Sequence, residues 1–158
     1  MNLKQEALAS IAPIHKFFDR STRCLGEDDS AFRPREGMLR VAEHVAQVAQ
    51  VIDWFRVGAL EDSWDMDFEA AVQAVAKVTS LQEARQYLAD ACDRLKTALE
   101  ATSEARLAEM LPDNPILPGR PRYHLIEAIV DHTAHHRGAL TVYARLLGKT
   151  PDMPYAED

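Results

Sequence analysis

Apolar residues recur at three- and four-residue steps along most of the chain, and this spacing predicts amphipathic helices. Segments that alternate apolar and polar residues at a period of two are not found, so strands are not expected. The four long segments predicted as helices have approximate bounds 3–20, 38–58, 80–98 and 121–148. A short amphipathic piece, residues 67–78, lies between the second and third of them.

Several residues mark where these helices begin and end. Ser80 with Glu83 three residues later has the form of a capping box at the start of the third long helix. Pro121 suits the first turn of the fourth, because its missing amide costs nothing there, and Gly148 suits the left-handed backbone of a helix end. Pro13, inside the first segment, is expected to kink that helix or to shift its start.

Four long helices with connections of varied length predict an all-α protein, a four-helix bundle, with residues 1–158 forming a single domain. The formal net charge is −7 and no stripe of lysine and arginine is present, which argues against a nucleic-acid partner. There is no signal-peptide pattern and no apolar run of roughly 18 residues, so neither secretion nor a membrane span is expected. Two distant cysteines, Cys24 and Cys92, fit reduced thiols in a cytoplasmic protein.

Three of the six histidines fall within the stretch "DHTAHHRGALTVYARLLGK" of the fourth predicted helix. At 100° per residue, His132 and His136 lie only about 40° apart and one turn along the helix, on the side of the apolar stripe. Two imidazoles at this spacing can reach one metal ion at roughly 2.0–2.1 Å. His135 lies about 60° off the stripe, which suggests a position at the rim of such a site or behind its ligands.

Spacing alone is a weak signal, since two hydrogen-bonded core histidines explain it equally well. His44, in "VAEHVAQVAQVIDWF", also shares the inner stripe of its helix. Three imidazoles buried without a ligand would leave several polar nitrogens to satisfy, which is costly. One divalent cation would satisfy all three.

The chain resembles the DinB-like family of four-helix-bundle proteins, which carry one histidine on the second helix and an HxxxH pair on the fourth. The resemblance rests on "RPREGMLRVAEHVAQVAQVIDWF" and "DHTAHHRGALTVYARLLGKTPDMPY". It implies that His44, His132 and His136 are metal ligands. Many members have glutamine directly after HHRG, where this chain has Ala139, so a polar contact made by that glutamine is not expected here.

The resemblance also implies a function. The name of the family refers to damage-inducible genes and so to stress-responsive regulation, and its better-characterised members are transferases and isomerases that use low-molecular-weight thiols. We therefore expect a metal-dependent S-transferase, or a related isomerase or hydrolase, that acts on small electrophiles. Zinc or nickel is the expected ion, with iron also compatible with imidazole ligands. The resemblance and the size of the bundle both favour a homodimer.

Two other interpretations stay open on the sequence alone. The first is a non-catalytic metal-binding bundle with a structural or sensing role, and three ligands argue against it because structural sites normally supply four. The second is a metal-free dimerisation module.

The remaining candidates carry weaker signals. Arg137 could pair with an acidic substrate group or with a carboxylate of the bundle, and Tyr143 could line a pocket, as could Trp54 and Phe55. His15 is a candidate fourth ligand, although a core or surface position is the commoner explanation. An exposed position is expected for His124. Glu43 and Asp131 each directly precede a proposed ligand and could orient neighbouring groups, although solvated surface carboxylates are the default expectation.

Overall fold

Six α-helices form most of the chain in the computed structural model, which describes residues 2–156. Their bounds are α1 Leu3–Thr22, α2 Val41–Glu61, α3 Phe68–Ala76, α4 Leu81–Ala101, α5 Glu104–Ala108 and α6 Leu125–Leu146. Two single-turn 3-10 helices, Glu27–Asp29 and Arg122–His124, precede α2 and α6. Residues 2–156 contain one isolated β-bridge and no strand, which confirms the predicted all-α class.

The four long helices, α1, α2, α4 and α6, surround a common apolar core. Helix α2 packs against α4 and α6, and α1 packs against the same two helices, so the four form a closed bundle. The predicted inner stripes supply the core, including Ile11, Ile14, Phe18, Val41, Val45, Val48, Ile52, Ala84, Leu88, Leu95, Ile129 and Leu140. Within residues 2–156, no helix combines the length and the apolar character that crossing a membrane requires.

Helix α1 runs without interruption through Pro13. At its start, the Asn2 side chain accepts a hydrogen bond from the Gln5 amide and the Gln5 side chain accepts one from the Asn2 amide. This reciprocal pair satisfies two free amides and fixes the first turn. Pro13 therefore does not shift the start of the helix.

Helix α2 begins at Val41, later than the apolar pattern predicts. The Glu43 carboxylate accepts hydrogen bonds from both the backbone and the side chain of Arg40, which closes the first turn at that point. Glu43 is 6% exposed, so its expected position on the surface is wrong. Burial opposes ionisation of Glu43, but the hydrogen bonds from Arg40 outweigh it and lower the pKa of the carboxyl.

The ends of the other helices follow their sequence signals with two exceptions. The Ser80 hydroxyl accepts a hydrogen bond from the Glu83 amide at the start of α4, and Gly148 has φ of 74° just beyond α6. Pro121, however, precedes a 3-10 turn and not the α-helix itself. The short helix α5, which Ser103 caps, was not predicted, because five residues are too few to show a periodic stripe.

Candidate metal centre

Two helices bring three histidines together at one end of the bundle core. His44 lies in the first turn of α2, and its amide donates to the Arg40 carbonyl. His132 and His136 lie one turn apart in the middle of α6. His44 is 6% and His136 is 4% exposed, while His132 is half-buried at the edge of the cluster.

The three rings form a chain of close nitrogen contacts with His136 in the middle. Nδ1 of His44 lies 2.8 Å from Nδ1 of His136, and Nε2 of His136 lies 3.2 Å from Nε2 of His132. The centroids of the His132 and His136 rings are 4.5 Å apart, and those of His44 and His136 are 5.1 Å apart. The positions that helical spacing places on one face are therefore neighbours in space.

This chain leaves one buried nitrogen without a partner. Nε2 of His44 is inaccessible to solvent and makes no hydrogen bond. If His136 donates its Nδ1 proton to His44, then the neutral His44 ring carries its own proton on Nε2, where nothing accepts it. If the proton between them belongs to His44, then Nε2 is a buried lone pair with no donor. Either tautomer leaves a buried polar atom unsatisfied, which costs about 1–3 kcal/mol.

The environment keeps the three rings neutral at pH 7. Burial lowers the pKa of His44 to about 4 and that of His132 to about 4, with the nearby His135 adding to both effects. Burial and the charges of its three histidine neighbours lower the pKa of His136 to about 3. A neutral imidazole keeps a lone pair, which is the form that binds metal ions.

Tyr143 packs against the histidine cluster and is hydrogen-bonded to the segment before α2. Its ring packs edge-on against the His44 ring with centroids 5.0 Å apart, and against Phe32 on another side at 5.9 Å. Its hydroxyl donates to the Leu39 carbonyl at 3.1 Å, just ahead of α2. Burial raises the pKa of the Tyr143 hydroxyl, so it stays a neutral hydrogen-bond donor. Tyr143 thus fixes the position of His44 relative to α6.

His135 and Arg137 flank His136 in the sequence, and their side chains lie in different surroundings from the buried His136 ring. His135 is exposed, and its ring lies edge-on to that of His136 at 5.1 Å. Arg137 donates to the Tyr155 hydroxyl at 3.1 Å and lies over the rings of Phe17 and Tyr155 at 6.0 and 5.6 Å. These contacts lie on the α1 side of α6. Arg137 therefore does not join the histidine cluster.

The cavity that Arg137 borders is here called the α1 groove, and its volume is about 540 Å³. It runs between α1, α6 and the C-terminal segment, and its walls include Ile14, Phe17, Val130, Arg137 and Tyr155.

A second cavity, here called the aromatic cavity, lies on the α2 side of α6 and reaches His132. Its volume is about 600 Å³, and its walls include Gln47, Val51, Trp54, Phe55, Phe68 and His132. Gln47 was not predicted as a site residue, although it follows His44 by three positions and so shares its helix face. Its Oε1 atom is buried and unpartnered.

Other candidate residues lie apart from the cluster. His15 lines a groove between α1 and α4. His124 precedes α6, where its side chain is 15% exposed and bonds Glu127 at 2.7 Å, so its expected exposed position is wrong. Cys92 is buried in α4 and Cys24 is half-buried after α1, and both are free thiols.

The family model of the DinB superfamily matches residues 16–140, which is well over half of the chain and includes all three histidines of the cluster. The chain belongs to the DinB superfamily. No curated protein matches it. The membership confirms the family resemblance carried by the two histidine-containing helices.

The resemblance to DinB-like proteins implies a bound metal ion, and the rings of His44, His132 and His136 are the groups that would hold it. The donor set fits, because three neutral imidazoles lie side by side, two of them buried, and one of the buried rings has a nitrogen without a partner. The ring positions fit less well. Among residues 2–156, no group of three histidine, cysteine, aspartate or glutamate side chains is arranged so that it could hold one metal ion. His136 places Nδ1 next to His44 and Nε2 next to His132. To share one ion with both of them, the His136 ring would have to direct a single nitrogen toward that ion.

Proposed function

We propose that this DinB-superfamily chain is a metal-dependent enzyme in which His44, His132 and His136 bind one divalent cation. The reaction we assign to it is transfer of a low-molecular-weight thiol onto a small electrophile. The observation that carries the proposal is the chain of three neutral histidines, two of them buried, in which Nε2 of His44 lacks any partner. A bound cation is the simplest group that accepts lone pairs from all three rings at once.

Three protein ligands suit a catalytic ion better than a structural one. Structural zinc sites are normally closed by four protein ligands, while catalytic sites keep a position for water or substrate. An ion held in this way would lower the pKa of a thiol bound beside it and so favour the thiolate at neutral pH. The aromatic cavity borders His132 and offers space for a substrate next to the cluster.

The reacting thiol is assigned to a cosubstrate and not to the chain. Burial raises the pKa of Cys92 to about 11, so this thiol stays protonated at neutral pH and is a poor nucleophile. Cys24 lies in the turn after α1, and neither cysteine lines the aromatic cavity. Mycothiol, bacillithiol and glutathione are the thiols to test first.

The ligand set is tested by calorimetric titration of nickel and of zinc into the metal-free protein at pH 7. Alanine at His44, His132 or His136 should each weaken binding by roughly a hundredfold or more, as expected for loss of one of three ligands. His135→Ala is the matched control, because it removes an exposed imidazole from the same helix turn and should retain near-normal affinity. Wild-type affinity in His44→Ala would contradict the proposal, as would equal damage from His135→Ala and His136→Ala.

The activity is tested separately, with the ion that the protein carries when purified identified by mass spectrometry and restored after chelation. The electrophile 1-chloro-2,4-dinitrobenzene is offered with each thiol in turn. The thiol loses its proton, a carbon–sulfur bond forms, and chloride leaves, so product and chloride appear in equal amounts. Turnover that needs both the ion and His136 supports an enzyme. Tight metal binding without turnover on any electrophile tested would favour the non-catalytic metal-binding bundle.

We also propose that two copies associate. Val142 and Leu146 lie one turn apart on α6 and are 55% and 60% exposed. Two neighbouring exposed apolar side chains on one helix face are suited to a two-fold contact, in which each copy covers the pair of the other. Light scattering should give a dimer mass that falls on dilution or in Leu146→Glu, whereas a monomer at every concentration would contradict the proposal.

A further inference from the structure

We propose that the α1 groove binds a linear aliphatic carboxylate, with the carboxylate on Arg137 and the hydrocarbon chain along α1. The groove of about 540 Å³ lies within the usual range of small-molecule sites. None of the described residues that line it belongs to the histidine cluster. The inference therefore concerns a second site and is independent of the proposed function.

Arg137 lacks the anionic partner that comparable arginines have. Five other half-buried or buried arginines each form an ion pair with a carboxylate, and these are Arg40, Arg56, Arg85, Arg106 and Arg122. Arg137 is also half-buried, but within residues 2–156 its guanidinium donates only to the phenolic hydroxyl of Tyr155. Its positive charge is therefore not balanced by a carboxylate of this region, and N–H donors remain for an anion.

Two aromatic rings hold the guanidinium at the wall of the groove. Its central carbon lies 6.0 Å from the ring centroid of Phe17 and 5.6 Å from that of Tyr155, and both residues line the groove. The two rings pack edge-on at 5.1 Å. Because the Tyr155 hydroxyl accepts a hydrogen bond from Arg137, its own proton is left for donation to the same anion. A carboxylate has two oxygens and can accept from both groups.

The rest of the groove is long and mostly apolar. Its apolar walls come from α1 and α6 and include Ala9, Pro13, Ile14, Phe17, Val130 and Ala134. The only carboxylate among the described residues that line it is that of Glu6, eleven positions before Phe17 on α1. At 1.5 Å per residue this separation is about 16 Å along the helix, so Glu6 is too distant to neutralise Arg137. A ligand with one terminal negative charge and a long apolar chain matches this arrangement.

Three compounds with the same ten-carbon chain test the charge requirement. At pH 7 decanoate is an anion, decan-1-ol is neutral and decylammonium is a cation. Each is titrated calorimetrically into the protein as purified, below its micelle concentration and at about 0.15 M salt. Because the net charge of the chain is −7, unspecific binding would favour decylammonium. We expect decanoate to bind at least tenfold more tightly than either of the other two.

Variants of Arg137 test the anchor. Arg137→Gln should weaken decanoate binding at least tenfold and leave decan-1-ol unchanged, since it removes the charge but not the apolar walls. Arg137→Lys keeps the charge but not the planar fork, and should bind decanoate with intermediate affinity. Arg145→Gln is the matched control, because it removes the same charge from an exposed position about two turns further along α6 and outside the groove. It should change the affinity for neither compound.

The location is tested by filling each cavity in turn. Ala9→Trp places a large ring in the α1 groove and should weaken decanoate binding at least tenfold, while Ala74→Trp, at an equally exposed alanine of the aromatic cavity, should leave it unchanged. A chelator should also leave it unchanged, and its loss on chelation would place the ligand at the histidine cluster and overturn the inference.

Three further results would overturn the inference. The first is equal affinity of the wild type for decanoate and decan-1-ol. The second is equal loss of decanoate binding in Arg137→Gln and Arg145→Gln. The third is decanoate affinity that falls as the protein concentration rises, because it would show that a second copy of the chain covers the groove.

Discussion

Two cavities of similar volume border helix α6, and they differ in whether a histidine of the cluster lines them. The α1 groove, about 540 Å³, contains Arg137, whose guanidinium is already engaged by the hydroxyl and rings of its neighbours. The aromatic cavity, about 600 Å³, contains the unpartnered Gln47 oxygen and borders His132. Volume alone therefore does not distinguish a functional cavity. A residue with a buried, unpartnered oxygen lines each of the two cavities, Thr133 in the groove and Gln47 in the aromatic cavity, so unsatisfied polar atoms do not distinguish them either. The aromatic cavity differs because its wall includes a residue of the histidine cluster, His132.

The largest difference between the histidine cluster and the α1 groove should appear in how much added metal stabilises the folded protein. Nickel at 100 to 1,000 times its dissociation constant should stabilise the wild type by about 3–4 kcal/mol, since only the folded protein assembles the three ligands. His136→Ala, in which binding is weakened about a hundredfold, should lose about 2–3 kcal/mol of this gain. Arg137→Ala, one residue further along the same helix, should keep it. Thermal or urea unfolding with and without nickel measures the effect, and a similar loss in both variants would erase the proposed difference between the two sides.

The second prediction concerns the pH dependence of the metal-free protein. The pKa values of His44, His132 and His136 are lowered to about 4, 4 and 3, so the folded state binds fewer protons than the unfolded chain below about pH 6.5. Their contribution to stability is therefore present above pH 6.5 and is lost as the pH falls toward 4. Each pH unit in this window costs up to about 1.4 kcal/mol for one ring.

Urea unfolding at pH 6.5 and 4.5 in the presence of a chelator measures this slope. His136→Leu should flatten it by on the order of 2–3 kcal/mol over the two units, whereas His135→Ala, which removes an exposed ring, should not. An unchanged slope in His136→Leu would mean that the buried rings do not control the acid response.

Gly58 provides a test with a smaller expected effect, which concerns the packing of the aromatic residues at and next to the aromatic cavity. A Cβ atom at this position would lie 2.2 Å from the Trp64 ring, so Gly58→Ala must displace that ring and the Trp54 ring that packs on it. We expect a loss of about 1–2 kcal/mol, reduced by the better helix propensity of alanine. Gly138→Ala on α6 is the matched control, since nothing lies within 4 Å of its added Cβ, and it should stabilise the helix slightly.

The smallest effect is expected in the α1 groove. Tyr155→Phe removes the hydrogen bond to Arg137 but keeps the ring over which the guanidinium lies. Because Tyr155 is exposed, the loss of stability should be no more than about 0.5–1 kcal/mol. Metal affinity should be unchanged, and a clear drop would show that the α1 groove is coupled to the histidine cluster through α6.

Much of the bundle and the grouping of its histidines follow from helical geometry. The 100° rotation per residue places His132 and His136 on one face, and the apolar stripe of α2 turns His44 inward. The unpartnered Gln47 oxygen was not predictable in the same way. Helical spacing places Gln47 on the same face as His44, but whether its side-chain oxygen finds a partner depends on the packing around it in the folded bundle. The start of α2 was missed for a local reason, since it depends on hydrogen bonds between Arg40 and Glu43.

The order of the three histidines along the chain has a consequence for folding. His132 and His136 are four residues apart and come together once a single turn of α6 forms, whereas His44 and His136 are 92 residues apart and meet only when α2 docks. Helical turns form within about a microsecond, while distant contacts must wait for a large loop to close. The cluster is therefore completed only after α2 has docked against α6, and its geometry reports whether that docking has taken place.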